Sequence, residues 1–348
     1  MTRLIDSHIH LYSQSDNGAL AWMTPTNPLA GSYDPAKYAS CSSSSEDLTG
    51  YIFVETDRSY PSPISATADG LKNPLNEISM ALDIFTSSNS KLLGMVSFAP
   101  LPLGAAGMQS WWNLALKLGD SPKTVEKMVR GVRYLVQDKP RGTLSCPGFV
   151  EGIRWTLGKG MVFELGVDTR STGLWQLEET VEVMREVMGE GQENGEGSGW
   201  VVIDHMAKPD LHVSNFHSDR KTAEWLEKLK ILARYPNVAV KFSGLFSELD
   251  YEVCEGGDVD VVVKKILPWV EGIVFVFGAD RVIWGSDWPV CNIGYGNMVG
   301  QEEADGAWRA WRQVSEKVLE ELVKKGSMTE QEKHGVLGEV AARVYKLG

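Results

Sequence analysis

His8, His10, His205, Asp287, Arg133 and Lys241 have the side chains and the placement to do chemistry. The first two lie two apart in Leu4-Ile5-Asp6-Ser7-His8-Ile9-His10-Leu11, a stretch with the period-two alternation of a strand. Side chains two apart on a strand share a face, so Asp6, His8 and His10 are expected on one side, with Ile5, Ile9 and Leu11 on the other. Paired imidazoles at a strand end suit a metal ion or a carbonyl awaiting polarisation; the alternative is a strand end with two solvated histidines. His205 closes the apolar run Trp200-Val201-Val202-Ile203, and Asp287 ends Arg281-Val282-Ile283-Trp284-Gly285-Ser286. Arg133 and Lys241 lie inside apolar runs whose Val, Tyr and Phe residues alternate away from them, which points both cations inward. A buried unpaired cation is expensive, so each needs a carboxylate or an anionic ligand. Internal ion pairs with Glu55 and Glu164, which also sit on strands, are the alternative use of these cations.

The elements that must carry these residues alternate along the chain. Strands are expected at 4–11, 51–55, 92–98, 131–136, 161–165, 200–205, 238–243 and 281–287. Amphipathic helices fall between them, for example with Leu75, Ile78, Leu82 and Phe85 on one face, and with Leu177, Val181 and Met184 on another. A long stretch rich in Ser, Pro, Asn and Gly, from about Tyr12 to Gly50, reads as an irregular loop or lid, and Ser42 to Ser45 is low complexity. Gly189 to Gly199 is a Gly/Glu linker that follows a helix, so its Gly-x-Gly spacing is no phosphate loop. Helices over 307–325 and 329–347 close the chain, the second opening with the capping-box pattern Thr329-x-x-Glu332. Eight buried strands alternating with helices predict an α/β fold, a single-domain (β/α)8 barrel over residues 1–348. In such a barrel the C-terminal strand ends carry the site, and the histidines and Asp287 fall there.

Bulk properties exclude several classes of function. The chain has 348 residues, 43% hydrophobic and 23% charged, with a formal net charge of −12. That charge argues against nucleic acid and against an anionic membrane surface. The most apolar region, Val261 to Trp284, is interrupted by Lys264, Lys265, Pro268, Glu271 and Asp280, so no membrane span is expected. Met1-Thr2-Arg3-Leu4 lacks the apolar run of a signal peptide, and Cys41, Cys146, Cys254 and Cys291 are too scattered for a disulfide frame or a zinc knuckle. A cytoplasmic protein with reduced thiols is expected.

The segments Ile5-Asp6-Ser7-His8-Ile9-His10, Val202-Ile203-Asp204-His205-Met206-Ala207-Lys208-Pro209-Asp210, Val240-Lys241-Phe242-Ser243-Gly244-Leu245 and Trp284-Gly285-Ser286-Asp287-Trp288-Pro289-Val290 resemble the amidohydrolase superfamily. Within it they are similar to the branch of sugar and dicarboxylate lactonases. Thr24-Pro25-Thr26-Asn27-Pro28-Leu29-Ala30-Gly31, Phe53-Val54-Glu55-Thr56-Asp57-Arg58 and Tyr134-Leu135-Val136-Gln137-Asp138-Lys139-Pro140 fit fungal members of that branch, so the likeness spans essentially the whole chain. The resemblance implies a (β/α)8 barrel with an extra C-terminal helix that hydrolyses a small-molecule sugar lactone to its aldonate. Many relatives hold two metals with a carboxylated lysine on the fourth strand and a histidine on the fifth. Here Arg133 stands on the fourth strand, where no carbamate can form, and the fifth has no histidine. The implied centre is therefore one divalent cation, Zn²⁺, on His8, His10 and Asp287 with His205 nearby; a metal-free reaction stays open.

The implied chemistry has Asp287 take a proton from water and return it to the leaving alkoxide, while the metal or the histidines polarise the carbonyl. Arg133 and Lys241 would bind sugar oxygens or the new carboxylate, and Trp22 and Trp288 would offer faces to the sugar. A decarboxylase or other lyase on the same scaffold is the competing expectation, and a catalytically silent barrel is disfavoured by the titratable residues at every site position. His212, His217 and His334 receive no role.

Overall fold

The computed structural model describes residues 3–43, 45, 47–189, 199–213, 215–249 and 255–348. Ser44 of the low-complexity run, residues 190–198 of the Gly/Glu linker, and Cys254 lie outside the described residues. Cys41, Cys146 and Cys291 are free thiols, and among the described residues no helix is long and apolar enough to cross a membrane.

The eight expected strands all form: β1 (Leu4–Ile9), β2 (Leu48–Val54), β3 (Leu92–Phe98), β4 (Val129–Arg133), β5 (Val162–Leu165), β6 (Trp200–Ile203), β7 (Val238–Phe242) and β8 (Val282–Trp284). They pair in parallel in chain order as one eight-stranded sheet. The ring closes where Ile9 bridges Trp288 in parallel, with Asp287 N–H donating to His8 O (2.8 Å) and His10 N–H to Trp288 O (2.7 Å). Helices return the chain between strands, among them α1 (Pro35–Cys41), α2 (Lys72–Thr86), α3 (Gly104–Ala115), α4 (Pro122–Met128), α5 (Pro147–Gly158), α6 (Trp175–Met188), α7 (Arg220–Leu232) and α8 (Val259–Phe277), and α9 (Val290–Val299) and α10 (Ala307–Lys324) follow β8.

Short strands of Val, Ile and Phe suit this arrangement because both faces are dry. Outward residues such as Phe53, Met95, Phe163, Val240 and Phe242 join the core shared with the helices. Inward residues Ile5, Ile52, Val54, Val96, Val202 and Ile283 fill the lower barrel. The C-terminal run closes that end: Val340, Ala341, Val344 and Tyr345 belong to the same inner cluster. A Cβ on Gly338 would fall 1.8 Å from Arg3 O, so glycine is what lets this run reach the rim of the barrel. The expected capping box is present, with Thr329 and Glu332 bonding reciprocally at the start of this run.

Two local expectations are corrected. The stretch after β1 is not structureless: it holds a 3-10 turn (Gln14–Ala19) and α1, and Tyr12 and Tyr33 form an antiparallel bridge. Asp6 does not share a face with His8 and His10. Between the partners Asp6↔Tyr51 and Ile9↔Phe53, β1 advances three residues while β2 advances two. This bulge turns Asp6 out of the barrel and leaves Ile5, His8 and His10 inside. The Asp6 carboxylate then accepts from Ser286 N–H (2.8 Å), Tyr38 O–H (2.9 Å) and Trp308 Nε1–H (2.8 Å). It ties the exit of β8, α1 and α10 to the first strand.

Asp6→Ala would remove the acceptor of four buried donors, those of Ser286, Tyr38, Trp308 and the His8 backbone, at roughly 1–3 kcal/mol for each left unpaired. A loss of about 3 kcal/mol or more is expected in urea unfolding; a shift below about 1 kcal/mol would show that the carboxylate is dispensable to the closure.

Candidate active site

Above the apolar plug, the barrel interior becomes a layer of charge. Lys241, on the inward face of β7, donates to Glu164 Oε1 (2.7 Å) and lies 3.4 Å from Asp204 Oδ1. Its ammonium also donates to His8 Nδ1 at 2.9 Å. Arg133 Nε–H donates to Glu55 Oε1 (2.6 Å) and its Nη2 to Glu55 O (2.8 Å), with Nη1 3.5 Å from Asp204 Oδ2. Tyr345, from the C-terminal run, donates to Glu164 at 2.5 Å. Burial and then the Asp204 charge lift Glu164 to about 8. Burial alone would raise Asp204 too, but Lys241 and then His8 hold it well below the usual carboxylate range.

The next layer is the histidine floor. Nε2 of His8, His10 and His205 lies 3.6, 3.4 and 3.8 Å from Asp287 Oδ1. Burial would raise the Asp287 carboxyl, but the histidines grouped around it, His205 first, hold it far down, so it stays ionised. Burial lowers His205 to about 4, against the pull of Asp287. Burial and then Lys241 push His8 well below its ordinary value. Both rings are neutral near pH 7.

Unusual backbone aims these groups. His205, Met206, Ala207 and Lys208 all have positive φ (50, 55, 61 and 46°), as does Asp287 (60°). Such strain in non-glycine residues persists only where surroundings over-determine it. Here Trp225 Nε1–H donates to Met206 O (3.1 Å), while Thr169 Oγ1–H reaches Ala207 O (2.9 Å). Gly244, at φ 69°, leaves room for the His205 ring, since a Cβ there would lie 2.5 Å from Nδ1. Ser243 Oγ contacts that Nδ1 at 2.9 Å.

His10 supplies a test of metal fit. Its Nδ1 is 2.9 Å from Val54 O and 3.1 Å from Glu55 O. Carbonyls only accept, so Nδ1 carries the proton, and in the neutral ring Nε2 turns a lone pair toward the Asp287 carboxylate. Lone pair facing carboxylate calls for a positive centre between them, a proton or a cation. His8 Nε2 is also buried and without a hydrogen-bond partner among the described residues. With Lys241 donating to Nδ1, that Nε2 bears the ring proton; moved to Nδ1, where Asp204 Oδ1 lies 3.5 Å away, it frees Nε2 to ligate. His8, His10 and Asp287 thus fit one ion with N/O preference, such as Zn²⁺. A second grouping, His8, Asp204 and His205, shares His8 with the first.

Over this floor opens a cavity of about 330 Å³, whose lining includes His10, His205, Asp287, Arg133, Trp22 and Asp57. Two expectations need correction. Lys241 is fully buried and does not line the cavity, so it holds Glu164 and His8 in place of a sugar. Trp288 is also fully buried, its ring set against Tyr33 and Tyr38 with centroids 5.4 and 5.3 Å away, so it offers no face to the cavity. Arg133 forms the expected ion pair with Glu55 and also borders the cavity. Trp22 lines the cavity, its Nε1–H bound to Thr56 O at 2.8 Å. Sequence reasoning missed Asp204 and Asp57. Period-two counting from Val202 would have turned Asp204 inward beside Lys241; no pattern marks Asp57.

Comparison with known proteins agrees with this geometry. The family model "Amidohydrolase" matches residues 200–347. An L-rhamnono-gamma-lactonase of Scheffersomyces stipitis is 33% identical over 339 residues, 92% of this chain and 93% of that protein. An L-fucono-1,5-lactonase of Burkholderia ambifaria is 36% identical over 111 residues, 32% of each chain. The barrel superposes on the crystal structure of a Burkholderia multivorans amidohydrolase with bound zinc, with TM-score 0.69 and 22% identity, covering 99% of this chain and 100% of that one.

Arg133→Met would strand Glu55 as a buried carboxylate and leave Asp204 to Lys241 alone. Breaking one side of such a pair costs about 3–5 kcal/mol, so chemical denaturation should show a loss of that order. Unchanged stability with weakened ligand binding alone would mean that the guanidinium serves the cavity and not the frame.

Proposed function

The chain belongs to the amidohydrolase family, and from that premise we propose that it opens a sugar-acid lactone, L-rhamnono-1,4-lactone or a similar aldonolactone, to the free aldonate. The observation that carries this reading is the identity with a rhamnonolactonase along nearly the whole chain. A cavity whose floor joins an ionised carboxylate to neutral imidazoles supports it. The lactone carbonyl lies over that floor. Asp287 accepts a proton as water adds to C1. A carboxylate held so low is a weak base alone, and the His10 Nε2 lone pair 3.4 Å away shares the proton load. His205 and the cavity edge of Arg133 face the developing oxyanion. Trp22 gives the sugar carbons an apolar surface.

A divalent ion bound by His8, His10 and Asp287 would supply Lewis-acid polarisation and a more acidic water. Arg133 cannot become a carbamate ligand, so the centre takes one ion at most.

Asp287→Asn keeps the shape of the site but cannot take a proton. Its kcat for aldonolactone hydrolysis should fall by about 10²-fold or more with the fold retained; activity within a few-fold of the parent would require another base. A parent that decarboxylates aromatic acids and leaves aldonolactones intact would instead favour the lyase. Metal analysis of purified protein should return no more than one equivalent per chain, and two equivalents would overturn the mononuclear assignment.

A further inference from the structure

Asp57 is the cavity residue whose placement the reaction just described leaves unexplained. It lies beyond the end of β2 and lines the same cavity as Asp287 and His205. Its backbone is left-handed, with φ 50°. Several bonds hold it there: its N–H donates to Glu55 Oε2 (2.5 Å), and Ala21 N–H donates to Asp57 O (3.0 Å). On either side, Thr56 N–H donates to Glu77 (3.0 Å), and Arg58 is clamped between Glu77 (3.1 Å) and Asp16 (2.8 Å). The carboxyl so positioned has no hydrogen-bond partner among the described residues. A strained backbone fixed from both sides, presenting an unengaged carboxyl to the cavity, is the arrangement expected of a working group.

Resting on the lactonase reading, we propose that Asp57 is the general acid that protonates the ring oxygen as the lactone opens. Water adds to C1 and gives its proton to Asp287. The tetrahedral oxyanion then collapses, the bond from C1 to the ring oxygen breaks with its electron pair going to that oxygen, and the oxygen takes the Asp57 proton. The products are the hydroxy acid, a charged Asp57 and a protonated Asp287. Loss of one proton from Asp287 and uptake of one by Asp57, both through solvent, restore the resting state with no other co-reactant.

The charges around Asp57 agree with this role. Burial, then the charge of Glu55, raise its carboxyl to about 7; Asp138 adds to the rise, while Lys139 and Arg133 oppose it. The Tyr60 phenol also faces it.

The test is a pH profile of aldonolactone hydrolysis, corrected for spontaneous ring opening, for the parent, Asp57→Asn and Asp57→Gly. Both replacements tolerate positive φ, so the fold is kept, and Asn retains a polar contact to sugar hydroxyls. Parental kcat should fall as pH rises through about 7, where Asp57 loses its proton. Both variants should show kcat about 10²-fold lower at pH near 6, no such limb, and KM within a few-fold of the parent. A parental kcat that is flat between about pH 6 and 8.5, or variants that keep the limb or change only KM, would overturn the role of Asp57 and leave the lactonase reading intact. A parent that opens no aldonolactone would sink that reading and the inference together.

Discussion

The Lys241 ammonium, buried at the centre of the barrel, is the contact on which the site stands. It reaches Glu164, Asp204 and His8 within 2.7–3.4 Å. A buried ion pair adds little net stability compared with a well-packed apolar core, but losing one partner is costly because the polar groups left behind stay dry and unmatched. Such a cluster therefore works as a positional lock. It fixes the His8 ring from below, holds Asp204 ionised, and through Asp204 meets the guanidinium of Arg133. The cations that sequence reasoning offered to a sugar are in this way mostly committed to the frame.

From that layer the barrel reads as a vertical series of environments. Below it lie branched aliphatic side chains, capped by the C-terminal run. Above it lie imidazoles grouped around one carboxylate oxygen, and then a cavity open to water. Tyr345 joins the lowest level to the charged one by donating to Glu164. The helical run that closes the barrel is thus also a support of the charged layer.

Backbone strain collects where strands hand over to loops. Of the left-handed residues, Asp57, His205, Lys208 and Asp287 line the cavity. The energy stored there is offset by hydrogen bonds from neighbouring elements, as with Trp225 and Thr169 beneath the β6 exit. Side chains so held need little reorganisation if charge develops beside them, which is the main way a protein lowers a barrier electrostatically.

The strands, the alternation that turns Arg133 and Lys241 inward, and the collection of His8, His10, His205 and Asp287 at strand ends were legible in the residues themselves. Period and composition are local properties, and a parallel barrel with dry faces leaves them undisturbed. What stayed hidden depended on distance through space. The bulge that turns Asp6 outward is a mismatch between β1 and β2, visible only once they pair. Trp288 reads as a binding face until Tyr33 and Tyr38, far back in the chain, close over it. For Lys241 the residues left two uses open, a substrate oxygen or an ion pair with a strand glutamate, and only the approach of Glu164 from β5 selects the second. A charge, a ring or a carboxyl has its chemistry from its type, but its task from what lies within a few ångströms, and only the closed barrel sets those distances.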